Sequence, residues 1–251
     1  MNFLSIPSIP PVYADRALAA YAQALLPDYN SLDAFQKIQY DTIVSLYTDS
    51  ATGVFLNGFD GSVNTHTFRG STILQGRTPK AAFCCGLSFE HFFLSWKTWL
   101  GALFETDVDI TFPQMQTLRS HFFVPPSPGR TFSTGAHGGF KHLVQSLNTR
   151  WSAAKKAGTA TKGSMEEEIG LRFESLSGEE NLRFGDYLQS QRGPDIHSAG
   201  GHASVFVGYE QRVRKGVTKT YLRVFNALGI ASYGLRDEKC VFFSSVPTNR
   251  V

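Results

Sequence analysis

The chain has 251 residues, 24 Lys+Arg against 21 Asp+Glu, 42% apolar residues and 13% aromatics. With only 18% charged residues and 21 phenylalanines it is too apolar for a disordered chain, and no apolar run approaches the roughly 18 residues of a transmembrane helix. The formal net charge of +3 is too small to argue for nucleic acid, and the length fits one large domain or two small ones.

Residues 1–13, punctuated by Pro7, Pro10 and Pro11, read as an extended arm. They lack a positively charged start, so no secretory signal is expected. Over residues 15–26, Ala17, Leu18, Tyr21 and Leu25 recur at helical spacing, with Asp15 as N-cap and Pro27 as stop. A second helix is predicted over 32–47, capped by Ser31, with Phe35, Ile38, Ile43 and Leu46 facing inward. Residues 50–80 are rich in Gly, Thr, Ser and Asn and predict an irregular hairpin with β-like pieces at 54–56 and 65–69.

The strongest helical pattern covers 84–104, where Leu87, Phe92, Trp96, Trp99, Leu100 and Leu103 repeat at steps of three and four. The run Gly135-Ala136-His137-Gly138-Gly139 reads as a flexible loop, 140–152 as a short helix and 153–168 as a surface excursion. Strands are predicted at 184–188, 203–209, 221–225 and 241–244. Helices first and an antiparallel sheet last make an α+β fold. The chain reads as a single domain over 1–251, with a helical extension at 1–50 and a core at 80–246 carrying inserts at 105–180.

Three positions at the joints of these elements can carry chemistry. Cys84 and Cys85 open the long helix, where the positive end of the helix dipole favours a thiolate. A bridge between adjacent cysteines is strained, so they are either buried thiols or a nucleophile and its neighbour. His202 follows Gly200 and Gly201 at the start of an apolar strand, a rigid place for a general base. Asn226 ends the next strand. Positions 202 and 226 are equidistant from 214, which predicts that they face each other across a hairpin. Gly216 favours a turn centre one residue later.

The hairpin tip holds Arg212, Arg214, Lys215 and Lys219 and reads as a solvated turn. Asp186 is expected to cap a turn, and Glu90 to point away from Cys84. His66, His91, His121, His137, His142 and His197 show no metal-ligand spacing, so neither metal nor cofactor is expected.

Cys84-Cys85-Gly86-Leu87, the stretch Leu182-Arg183-Phe184-Gly185-Asp186-Tyr187-Leu188, and Gly201-His202-Ala203-Ser204-Val205-Phe206-Val207-Gly208, in this order, resemble the NlpC-type papain-like cell-wall peptidases. They match that family's Asp-Cys-Ser-Gly-Leu helix start, Leu-x-Pro-Gly-Asp-Leu strand start and His-Val-Gly-Ile-Tyr-x-Gly strand. Phe225-Asn226-Ala227 falls where the family has a polar third residue. Phe83 stands in the aspartate's place and Cys85 in the serine's. The resemblance implies a papain-like fold with Cys84 as nucleophile, His202 as base and Asn226 as the group that orients it.

The activity implied is amide hydrolysis through an acyl-thioester, without a cofactor, in peptidoglycan stem peptides. Such an enzyme would work in the cytoplasm or leave through a dedicated secretion system as an antibacterial toxin, with an immunity protein as its inhibitor. The same triad also serves deamidation, acyl transfer or proteolysis on a protein, and the fold can be a binding domain without catalysis.

Overall fold

The computed structural model describes residues 16–49, 63–68, 70–74, 76, 84–101, 123–124, 137–138, 171–176, 182–191, 202–227, 229–233 and 239–247. The expected arm at 1–13, the β-like piece at 54–56, the helix at 140–152 and the excursion at 153–168 lie outside these residues.

Helix α1 spans Arg16–Leu25, ending just before the stop at Pro27. Its buried residues are Ala19 and Ala22, whereas Leu18 and Tyr21, two of the residues at helical spacing, are 38% and 58% exposed. Two small side chains let α1 lie close on the next helix, and Tyr21 instead meets the Tyr47 ring at 6.2 Å. That next helix, α2, spans Ala34–Thr48. Its cap is Asp33 rather than Ser31. The Asp33 side chain accepts from Gln36 N at 2.8 Å while the Gln36 side chain accepts from Asp33 N at 3.1 Å, a reciprocal capping box. Ser31 closes a separate 3-10 turn, Tyr29–Ser31, capped by Asp28.

Strands β1 (His66–Phe68) and β2 (Ser71–Leu74) form the expected irregular hairpin around Gly70. Helix α3 spans Cys84–Leu100 and ends before 104 because Gly101 takes the left-handed conformation at φ 55°. Leu87, Phe89, Phe92, Phe93 and Trp96 are all buried, so α3 is apolar on more than one face, as a central helix must be. Strands β3 (Phe123–Val124) and β4 (His137–Gly138) pair with each other, so part of the run expected as a loop is a short ladder.

Among the described residues the main sheet has six antiparallel strands: β5 (Leu171–Leu176), β6 (Tyr187–Gln191), β7 (His202–Arg214), β8 (Val217–Asn226), β9 (Gly229–Tyr233) and β10 (Lys239–Pro247). Their spatial order is β5-β10-β6-β7-β8-β9, so the last strand inserts between β5 and β6. Strands β5 and β9 were not expected from the sequence, and β5 turns the end of the 105–180 insert into a sheet edge. β6 begins at Tyr187 rather than 184 because residues 183–186 form a tight turn.

Alternation along β7 and β8 divides the apolar residues between two faces. Ala203, Val205, Phe225 and Ala227 join Tyr187 and the three helices in one large core. Phe206, Leu222 and Val224 form a smaller cluster with Leu182 and Leu188. Helices over one face of an antiparallel sheet make the fold α+β.

Candidate functional site

Cys84 is the first residue of α3, forms no disulfide and is buried at 1% exposure within the large core. Its carbonyl accepts a hydrogen bond from Ser88 Oγ at 2.9 Å. Cys85 takes the second helical position. His202 is the first residue of β7, where its backbone stands opposite Ser190 of β6. Asn226 is the last residue of β8, fully buried and opposite Gly229 of β9.

The hairpin register differs from the expected one. Lys215 and Gly216 form the turn with φ of 52° and 72°, the two left-handed residues that a tight primed turn requires. Near the tip Arg214 stands opposite Val217, whereas beyond a bulge between Phe206 and Gly208 the pairs are Phe206 with Val224 and Val205 with Phe225. One further step sets position 226 against 204 rather than 202. The shift is two residues, so positions 202 and 226 keep the same parity along the ladder. Without the bulge's extra residue the tip register would have put them at opposite parity. Asn226 and Ser204, both buried, alternate with Ala203, Phe225 and Ala227, which pack in the core that contains Cys84. Positions 202 and 226 thus lie on neighbouring strands and share one face of the sheet, but by alternation it is the face opposite the core in which Cys84 is buried, so the strand register does not bring Cys84 to them.

The turn before β6 is tied down from two sides. Asp186 Oδ2 accepts from Arg183 N at 2.7 Å, which is the expected capping role. Phe206 N donates to Asp186 O at 2.7 Å and Gly185 N to Phe206 O at 3.0 Å, welding the turn to β7. From α2, Gln36 Nε2 donates to Phe184 O at 3.2 Å and Gln39 Nε2 to Gly185 O at 3.0 Å. Gly185 has φ 90°, a conformation that favours glycine, and a Cβ there would stand 2.1 Å from Gln39 Oε1, so the Gln39 amide would have to shift.

Two buried groups that the sequence left without a role set the position of α3. The Glu90 carboxylate accepts from Val63 N at 2.6 Å and Asn64 N at 3.0 Å and meets His66 Nε2 at 2.6 Å. His91 places Nδ1 3.1 Å from Tyr187 Oη and Nε2 3.2 Å from Gln39 O. A carbonyl can only accept, so Nε2 carries the proton and the tyrosine hydroxyl donates to Nδ1. Burial pushes His91 down to about 4, against the opposing pull of the Gln39 carbonyl, in keeping with a neutral ring. The signal for both was a carboxylate and an imidazole midway along an apolar helix, where a buried polar group needs a partner.

Among the described residues, no three His, Cys, Asp or Glu side chains gather as metal ligands. No described helix is long and apolar enough to cross a membrane. Comparison with protein-family models, curated proteins and solved structures found no match to this chain.

Proposed function

We propose that the chain is a papain-like cysteine amidase with Cys84 as nucleophile, His202 as base and Asn226 as the orienting group. The observation that carries this reading is topological. Cys84 opens a helix packed on an antiparallel sheet, while His202 starts one strand and Asn226 ends its neighbour. In this mechanism His202 takes the thiol proton as Cys84 Sγ attacks the amide carbonyl carbon. The C–N bond then breaks as His202 returns the proton to the leaving amine, and a thioester remains. Water activated by His202 hydrolyses the thioester and regenerates the thiol. Backbone N–H groups at the start of α3 hold the oxyanion, and Asn226 fixes the imidazole tautomer.

The resemblance to NlpC-type peptidases supports peptidoglycan stem peptides as substrate. The test is to incubate the protein with sacculi and identify released fragments by mass spectrometry. Cys84→Ala should abolish release, whereas Cys85→Ser should keep most of it; the reverse pattern moves the nucleophile by one residue. Asn226→Ala should slow turnover by roughly 10–200-fold, the worth of one orienting hydrogen bond, and His202→Ala should leave almost nothing.

Two observations favour a second reading, a binding domain without catalysis: Cys84 is 1% exposed among apolar side chains, where structural thiols sit, and strand positions 202 and 226 alternate onto the sheet face away from that core. Iodoacetamide separates the two readings. A nucleophile should be alkylated faster than free cysteine at pH 6–7, and a structural thiol only when the protein unfolds.

A further inference from the structure

The β7–β8 hairpin outruns the sheet that supports it. β6 pairs with β7 only from His202 to Val205, and β9 pairs with β8 only from Leu222 to Asn226. Among the described residues, the two strands continue beyond these limits without a further neighbour to the turn at Lys215-Gly216, and residues 211–220 are all exposed. At about 3.3 Å per residue the exposed ribbon projects roughly 15 Å. A two-stranded ribbon is marginal by itself, and its base is braced. Glu210 accepts from Arg212 Nε at 2.8 Å and from Ser232 Oγ of β9, and lies 3.6 Å from the Arg223 guanidinium. Arg223 in turn donates to Leu25 O at the end of α1 at 3.0 Å. Arg212 also lies over the Tyr221 ring at 5.1 Å.

This bracing occupies Arg212 but leaves the tip cationic. Residues 211–220 contain Arg212, Arg214, Lys215 and Lys219 and no acidic residue. Among the described residues, Arg214, Lys215 and Lys219 form no ion pair. Two apolar side chains flank the turn, Val213 at 72% and Val217 at 56% exposure. Val213 stands opposite Thr218 and Val217 opposite Arg214, so the two valines lie on opposite faces of the ribbon.

We propose that this tip is a docking arm for an anionic lipid bilayer, entered end-on, with both valines in the headgroup–acyl boundary and the cations against lipid phosphates. The proposal is independent of the catalytic reading. The charge of the tip is complementary to an anionic surface, and its two exposed apolar side chains stand on both faces of the ribbon. A fluid headgroup layer closes around the tip and covers both. Residues 211–220 also hold no aromatic side chain on which bases could stack.

The test is co-sedimentation of the full chain with two kinds of vesicle, pure phosphatidylcholine and three parts phosphatidylcholine to one part phosphatidylglycerol. The wild type should bind the mixed vesicles and not the neutral ones. Combining Arg214→Gln, Lys215→Asn and Lys219→Gln should weaken binding on the order of 100-fold, since each cation near an anionic surface contributes about fivefold. Asn is chosen at 215 because it tolerates the left-handed conformation. Val213→Asn with Val217→Asn, which leaves the charge unchanged, should weaken binding roughly tenfold through lost apolar burial. For the wild type alone, mixed vesicles should protect the Arg214 and Lys215 peptide bonds from trypsin and neutral vesicles should not. Absence of binding or protection overturns the proposal. So does a valine variant that binds like the wild type, which would mean charge alone, or a DNA duplex bound as tightly as the mixed vesicles at the same salt.

Discussion

On one flank of α3, Glu90 is shielded from solvent and held by two backbone N–H groups just before β1 and by His66, its first residue. On the flank about 100° around the helix, His91 is equally buried but neutral, spanning Gln39 of α2 and Tyr187 of β6. A buried carboxylate needs donors converging from several directions, and a loop can wrap round it to supply them. A buried imidazole can shed its proton and needs only one acceptor and one donor. The loop flank therefore stands or falls with the carboxylate, and the α2–sheet flank with a neutral imidazole. Between them they orient the helix that begins at Cys84.

The most disruptive test of this contrast is Glu90→Ala, which strands the Val63 and Asn64 N–H groups and His66. Urea denaturation should show a loss of about 3–5 kcal/mol. A loss below about 1 kcal/mol would mean that the loop finds other partners and that the carboxylate is dispensable.

The His91 flank should reveal itself through pH. The folded-state value of about 4 lies below the ordinary imidazole value of 6.5. The contribution is therefore fully present above pH 6.5 and is lost as pH falls towards 4, because the unfolded chain takes up the proton first. The loss across that window is about 3 kcal/mol. His91→Gln, which cannot titrate, should show a shallower pH dependence in the same denaturation series, and an unchanged slope would assign the acid sensitivity to another group.

Gly185→Ala probes how tightly the α2 side grips the turn before β6. The left-handed backbone and the approach of Gln39 should together cost about 2–3 kcal/mol in urea. Gln39→Ala in the same background should recover part of that loss, since it removes the obstructing amide.

The smallest effect sharpens the tautomer assignment. Tyr187→Phe removes the hydroxyl that donates to His91 Nδ1 and should lower stability by about 1 kcal/mol at neutral pH. The His91 ring N–H resonance should stay with Nε2 in a nitrogen-resolved NMR spectrum. A ring proton found on Nδ1 in the wild type itself would show that Tyr187 accepts rather than donates.

Much of the local structure was legible in the chain. The period of α3, its start at Cys84, the tight turn around Gly216 and the turn capped by Asp186 all follow from near neighbours: spacing, a left-handed glycine, an acid three residues from an N–H. The α2 cap was legible too, because Asp33 and Gln36 have capping-box spacing, but Ser31 competes and only the backbone path chooses between them. β5 carried a clear alternation in Leu171-Arg172-Phe173-Glu174, yet an edge strand is defined by its partner, and β10 lies far along the chain. β9 is short and begins at a glycine, and its pairing with β8 depends on that hairpin closing.

Composition, periodicity and turn chemistry by themselves determined an α+β chain with a thiol at the head of its central helix and a histidine at the head of an apolar strand. The tertiary structure decided which helix faces are buried, as when Ala19 and Ala22 are buried while Leu18 and Tyr21 stay exposed. It decided that Glu90 and His91 are used to seat α3. It also decided the base register of β7 and β8, because a single bulge between Phe206 and Gly208 returns positions 202 and 226 to the same parity. A bulge forms where two sheet faces, packed against different clusters, demand different residue counts from one strand. That demand comes from side chains distant in sequence, and no local pattern in the strand carries it.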